Sequence, residues 1–415
     1  MLLPNPRYRL YTTWNSYLSA WRMAVRSDQN DETAHELLKK ELRNRLKCNY
    51  VELLPMCRVG IYLGIRVLIH PGTEVIMSPY TIADVVNMVI AAGGKPVFAD
   101  IEKETCNINP EEVEKLIGTK TGAVLITHLH GLAASAEKIR ELCDAHNIPL
   151  IEDAAQAFGT RINSIWAGTI GDIGVYSFGM YKNINSWYGG ALVAKNPEIG
   201  RRATDELQKW PRQPFNFLRK KIFKGLATDI ATWPPLFRPI TSRVFRHGLL
   251  HNIRWINKRV ETELDLRRHD GIPSHYKARP TSFQAQLAHS QLQSIDKHSQ
   301  TRIKYASLYY QALKKQAKLT LPPLRQDLSH IYTYFPIQYH DRKQMLLELA
   351  RRYRDVGAQH LKNTADLPGF KEFARDCPNA REVAENLILL PTYPRYGASQ
   401  VEQTAKAVLD FLNDE

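Results

Sequence analysis

Lys182 stands between two short apolar runs, Gly174 to Phe178 and Ala191 to Ala194, in the stretch YSFGMYKNINSWYGGALVA. Runs of that length read as buried strands, so the lysine lies just past a strand end, with polar residues and the pair Gly189-Gly190 behind it. A lysine in such a loop is ordinarily a solvated charge. Other groups with chemical capacity also fall at predicted strand ends: His128 in THLHG, Asp153 closing PLIED, Gln156 in AAQAFG and Ser177 in VYS. An aspartate ending a buried apolar strand is costly unless its charge meets a cation. A partly desolvated lysine loses basicity and can attack an aldehyde. Pyridoxal phosphate uses both groups, an imine to the lysine and an acid at its pyridinium nitrogen. Taken alone the pair is also what a structural ion pair would look like.

The elements that must position these groups alternate along residues 50 to 195. YVELLPM precedes the amphipathic RVGIYLGIRVLI, EVIMSPY precedes IADVVNMVIAAGG, and KPVFADI precedes NPEEVEKLIG, where Asn109 reads as an N-cap and Pro110 as the first helical residue. AVLITHLHG then precedes SAEKIRELCDAHN. Strands alternating with helices predict a mainly parallel sheet, whose ligands bind beyond the carboxyl ends of the strands. From about residue 267 the pattern changes to one long amphipathic helix over TSFQAQLAHSQLQSIDKHSQTRIKYASLYYQALKKQ, a β-like YTYFPIQY and two further helices. The expected organisation is a large α/β domain over 1–266 and a smaller α+β domain over 267–415.

Composition excludes several classes. The 415 residues, 44% of them hydrophobic, can bury a large core. No apolar run is long enough to span a membrane, and the start MLLPNPRYRLYTTW lacks the order of a secretory signal, so a cytoplasmic place is expected. The five cysteines form no C-x-x-C pair, which supports neither zinc nor a disulfide framework. Phosphate-loop, dinucleotide, zinc-protease and nucleophile-elbow motifs are absent from the sequence.

The wording around the pair is specific. PLIEDAAQAFGT, GTIGDIGVYSFGMYKNINSWYGGALVA and PGTEVIMSPYTIADVVNMVIAAGGKPVFADI closely resemble the DegT/DnrJ/EryC1/StrS family of pyridoxal-phosphate sugar aminotransferases. The resemblance covers most of residues 30 to 200 and resumes over 277 to 412 with FQAQLAHSQLQSID and LILLPTYPRY. It implies a fold-type-I enzyme. Lys182 would hold the cofactor aldehyde and later shuttle the proton, Asp153 would pair with the ring nitrogen, Gln156 would bind the phenolic oxygen, and Ser177 the phosphate. Tyr80, His128 and His360 would face the acceptor. It also implies a homodimer, an amino group taken from glutamate, and a keto group on a sugar, nucleotide-sugar or cyclic polyol as acceptor. Lys182 sets the chain apart from the dehydratase branch, which has histidine there.

Some positions depart from the family pattern. Met56-Cys57-Arg58 stands where the family has a S-G-T phosphate turn, Ile82 where an aromatic covers the cofactor ring, and Lys277 where the partner subunit lends an asparagine. Cys57 would then offer only backbone, while Arg58 and Lys277 could bind phosphate. A non-catalytic scaffold that kept the fold is the alternative these departures leave open.

Between Lys209 and Val260 lie twelve Lys and Arg against one acid, Asp229, interleaved with eight aromatics. The segment reads either as an insertion packed on the body or as a contact with an anionic membrane surface. No nucleic-acid-binding module is visible in it.

Overall fold

The computed structural model describes residues 3–10, 12–26, 32–257, 266–269 and 271–414; the last three positions of the basic segment, 258–260, lie outside them. Seven strands form the main sheet: β1 (Tyr50–Leu54), β2 (Glu74–Met77), β3 (Lys95–Phe98), β4 (Thr121–Thr127), β5 (Leu150–Asp153), β6 (Ile173–Ser177) and β7 (Gly190–Ala194), in the order β1-β7-β6-β5-β4-β2-β3. From β6 to β3 all neighbours are parallel, and β7 and β1 close that edge with antiparallel pairs. Because β5 and β6 are parallel neighbours, with Asp153 opposite Val175, their carboxyl ends deliver Asp153 and Ser177 to the same rim. The strands are apolar on both faces, as a sheet covered by helices requires.

Helices α1 (Trp14–Arg26), α2 (Glu32–Leu46), α3 (Cys57–Leu68) and α4 (Ala83–Ala91) come from the first quarter of the chain. Helix α3 is buried over Val59 to Ile65 beneath the sheet, where Gly60 and Gly64 let it approach Val175 and Ile173. The expected cap at Asn109 is present: its side chain accepts from the Glu111 amide (2.9 Å), with Pro110 in the first turn.

The basic segment folds as two main helices, α5 (Phe215–Ala231) and α6 (Ser242–Leu250). On the inward side of α5, Leu218 and Ile222 are buried with Tyr17, Trp187, Tyr188, Phe283 and Leu287. Trp187 stacks 5.0 Å from Tyr17 and lies 5.0 Å from Phe283, and it sits in the loop that carries Lys182. Asp229, the segment's lone acid, accepts from the Tyr17 hydroxyl (2.5 Å). The segment is therefore packed on the body through α5, as one of its readings anticipates.

The long helix expected after residue 281 is two, α7 (Ser282–Leu292) and α8 (Ile295–Leu313). At the break, the Ser294 amide and hydroxyl both turn back to the Gln291 carbonyl, which ends the first helix. Helix α7 packs with α2 against the main sheet. The second core gathers α8, α9 (Arg342–Arg351), α10 (Ala398–Asp414) and a three-stranded antiparallel sheet of β8 (Phe335–Gln338), β9 (Gly357–Ala358) and β10 (Leu387–Leu390), in the order β8-β10-β9.

Gly225 is what lets α5 descend onto Trp187: a Cβ there would lie 2.8 Å from the indole Nε1. Gly225→Val should therefore destabilise the protein by about 1–3 kcal/mol through overpacking. Gly118→Val, where a Cβ meets nothing within 4 Å, serves as the control. Equal denaturation midpoints for the two variants would remove this contact from the account.

Candidate functional site

The loop from Phe178 to Gly190 is held at both ends and in the middle. The Phe178 amide donates to the Gly189 carbonyl (2.9 Å), the Ser186 amide to the Phe178 carbonyl (2.8 Å), and the Lys182 amide to the Gly179 carbonyl (3.1 Å). Asn183 Nδ2 reaches the Phe158 carbonyl (3.0 Å), and Gln291 brackets Asn185 by donating to its carbonyl (2.6 Å) and accepting from its amide (3.0 Å). Lys182 is thus carried by a fixed frame, with its side chain turned inward.

Lys182 and Asp153 feel each other's charge without forming an ion pair. Burial lowers the Lys182 basicity and Arg58 adds to that, while Asp153 and Cys57 pull the other way. Burial likewise lifts Asp153 above the ordinary carboxylate range, against the opposing effects of the Ala155 amide and Lys182. Asp153 Oδ1 accepts from the Ala155 amide (2.9 Å), and Cys57 Sγ lies 3.9 Å away. Among the described residues no cation reaches ion-pair distance of Asp153. A buried carboxylate held in this way is poised for an N–H⁺ brought in by a ligand.

The N-terminus of α3 points at the same rim. Met56 caps it without a side-chain hydrogen bond; the Val59 amide turns back to the Met56 carbonyl (3.2 Å), and the Cys57 and Arg58 amides have no acceptor within the helix. Gly190 makes the close approach possible: a Cβ there would lie 2.3 Å from the Tyr176 carbonyl and 3.1 Å from the Cys57 amide. Ser177, opposite Gly190, accepts from the Gly179 amide (3.3 Å) through Oγ and keeps its hydroxyl hydrogen to give. Gln156 Oε1 accepts from the His130 amide (3.0 Å), which leaves its NH₂ as the group to offer a ligand. These residues fit pyridoxal phosphate: an acid for the ring nitrogen, a lysine for the aldehyde, an amide donor for the phenolic oxygen, and a hydroxyl with helix amides for the phosphate.

Other expected contacts fall differently. Arg58 Nη1 is ion-paired with Asp84 and lies 3.2 Å from the Tyr276 hydroxyl, so a bidentate phosphate contact would compete with that arrangement. Lys277 follows Tyr276 at the end of the short turn Ser274–Tyr276, half-buried. Ile82 is the N-cap of α4, partly buried against the large core. Tyr80 is withdrawn into that core, and its hydroxyl has Cys106 and Arg342 as charged or titratable neighbours, not Lys182. His128 is spent on structure: Nδ1 accepts from the Ala134 amide (3.0 Å), so Nε2 carries the hydrogen and donates to Glu152 (2.8 Å). Glu152 also takes the Gly168 and Gly171 amides, and these bonds hold it below the ordinary range despite its burial.

The imidazole at the site is His130, two residues on. Its backbone is left-handed (φ 57°), its ring is buried, and among the described residues neither ring nitrogen has a protein partner. Burial, then the charges of His360 and Lys182, pull its pKa down to about 3. His360 is pulled to about 4 by burial, then by Lys182 and Lys362. The THLHG stretch contains both histidines, and only the left-handed turn decides which one faces the lysine.

The low His130 value carries a pH dependence. Below pH 6.5 the unfolded chain protonates this imidazole while the folded chain resists until about 3, so stability falls as pH drops through that window. At pH 5 this one residue should account for about 2 kcal/mol of lost stability in the cofactor-free protein. His130→Gln should lose correspondingly less between pH 7 and pH 5 in urea titrations. An identical loss in the variant would show that His130 is not held neutral.

The sequence matches the model of the DegT/DnrJ/EryC1/StrS aminotransferase family over residues 33–222 and 243–409. It is 26% identical over 387 residues to the spore coat polysaccharide biosynthesis protein SpsC of Bacillus subtilis, covering 90% of this chain and 88% of that protein. It is 37% identical over 160 residues to the GDP-perosamine synthase of Vibrio cholerae, 38% of this chain and 44% of that protein. The fold matches an aminotransferase from Psychrobacter cryohalolentis with a TM-score of 0.77 at 19% identity, over 99% of both chains. With a lysine, an acid and a helix terminus converging on one rim of a mainly parallel sheet, the chain belongs to the DegT/DnrJ/EryC1/StrS family of pyridoxal-phosphate-dependent aminotransferases.

Proposed function

We propose that this enzyme moves an amino group from glutamate to the keto carbon of a sugar or nucleotide-sugar during surface polysaccharide or secondary-metabolite synthesis. The observation that carries the reading is the desolvated pair of Asp153 at a strand end and Lys182 in the braced loop beyond the neighbouring strand, with no ion pair between them among the described residues. When bound, the cofactor supplies the aldehyde and the electron-withdrawing ring. Asp153 would pair with the ring nitrogen, and Lys182 would hold the aldehyde and move a proton beside the reacting carbon. His130 and His360, both neutral, can hydrogen-bond acceptor hydroxyls without adding charge. We read the working form as a homodimer in the cytoplasm, with Lys277 reaching toward the partner's site as its place in the family motif suggests.

The test is transfer of ¹⁵N from labelled glutamate to a panel of nucleotide-linked keto-sugars, with borohydride reduction and peptide mapping of the resting enzyme. Label should enter the sugar, and the pyridoxyl mark should fall on Lys182 in wild type and vanish in Lys182→Ala. A mark on another lysine would overturn the assignment.

We further place the enzyme at an anionic membrane surface, where a lipid-linked acceptor would be met. Trp14, Leu18 and Trp21 lie exposed along one side of α1, and Phe223 and Ile230 along the outward side of α5. Trp21 and Phe223 meet at 6.1 Å, so the two sides adjoin, and Arg219, Lys220 and Lys224 lie exposed around them. Each such cation is worth roughly 1 kcal/mol near an anionic leaflet, and inserted rings add an apolar part that salt does not screen. Since α5 also packs on the Lys182 loop, point variants test this better than a deletion. Wild type should float with phosphatidylglycerol vesicles, less at high salt but not zero, and Trp21→Glu/Phe223→Glu should not float. Equal flotation of the two, or dimerisation lost in place of vesicle binding, would reject the membrane as occupant.

A further inference from the structure

A cavity lies between α2, β1, the helix Pro197–Gln208 and the turn that leads into α7. It measures about 240 Å³, many times the roughly 10–15 Å³ that one water needs, and it shares no lining residue with the site around Lys182. Of the cations on its wall, Lys39 is answered by Glu52 (2.9 Å) and Glu36 (3.1 Å). Arg212 and Arg279 are not answered, since neither makes an ion pair among the described residues. Glu32, the remaining acid of the wall, is exposed in the first turn of α2 and reaches neither of them.

The two arginines are held side by side. Their backbones form a parallel bridge, and the Arg279 amide donates to the Pro211 carbonyl (2.8 Å). Gln213, next to Arg212 on the same wall, is only 3% exposed, yet its Nε2 has no partner among the described residues. The Arg279 Nε is likewise buried without one. A buried N–H without an acceptor is expensive, so these groups call for an acceptor inside the cavity. The unmet buried groups of the wall are all N–H donors, and two adjacent guanidinium forks match the oxygens of one oxyanion.

We propose that this cavity is a second binding site, which takes the oxyanion group of a small metabolite between Arg212 and Arg279 while the Gln213 amide donates to the same group. A carboxylate and a phosphate ester offer the wall the same chemistry, oxygens that only accept. The proposal does not depend on the pyridoxal-phosphate reading of the other site. Water alone could meet the Gln213 amide, but a cavity filled only with water would show no saturable affinity for anions.

The experiment is a calorimetric titration with inorganic phosphate and, separately, with malonate, at an ionic strength held constant with chloride. The protein is first saturated with pyridoxal phosphate, so that the cofactor's own phosphate does not leave a competing seat. Wild type should bind one anion per chain, and Arg279→Met and Arg212→Met should each weaken that binding about tenfold or more, the size of one charge-assisted hydrogen bond. Gln213→Leu should weaken it at least about threefold. Arg212 is exposed on its turn, so its variant tests the site even if Arg279→Met fails to fold. Tighter binding of phosphate assigns a phosphate ester as ligand, and tighter binding of malonate a carboxylate. No saturable binding of either anion, or binding unchanged in Arg212→Met, would overturn the proposal.

Discussion

The site depends on two opposite charges kept apart in a desolvated place. Had Lys182 and Asp153 closed into an ion pair, their mutual attraction would have offset part of the burial cost, and the lysine would be a protonated, unreactive strut. They are instead held on separate elements, the acid on a strand and the lysine on a braced loop, so each remains available. The bonds of Asn183, Asn185 and Gln291 fix the loop backbone from which Lys182 springs, so the lysine and the acid start from separately held elements. A ligand that brings one cationic N–H and one aldehyde answers both unmet charges at once.

Much of this was readable in the chain because it is written locally. Alternating apolar runs and helical patterns give the parallel sheet, and a polar residue at the end of an apolar strand marks the rim. The Asn109-Pro110 helix start is equally local, since cap and first turn are neighbours in sequence. What could not be read depends on contacts between distant segments. His128 and His130 are chemically alike in the sequence. They differ only because Ala134 and Glu152 fold back onto one of them, while the left-handed turn sends the other inward. Tyr80 has the same lesson in reverse: adjacent to a site segment in sequence, it is claimed by the core.

The departures from the family pattern gain meaning in three dimensions. Arg58 replaces a small residue, but its charge is balanced by Asp84, so the substitution brings its own acid rather than a spare cation for the site. The element that packs on the Lys182 loop from outside is α5, which lies more than a hundred residues later in the chain.

That helix joins two surfaces that are usually separate. Its inward side carries Leu218, Ile222 and Lys221 against the Lys182 loop, and its outward side carries Phe223 and Ile230 toward solvent. Gly225 and Trp187 set the spacing so tightly that the helix cannot shift outward without uncovering the indole, nor inward without colliding with it. The Tyr17–Asp229 hydrogen bond ties α1 into the same packed layer as α5. The outer face and the loop that holds Lys182 are thus joined by packed aromatic side chains.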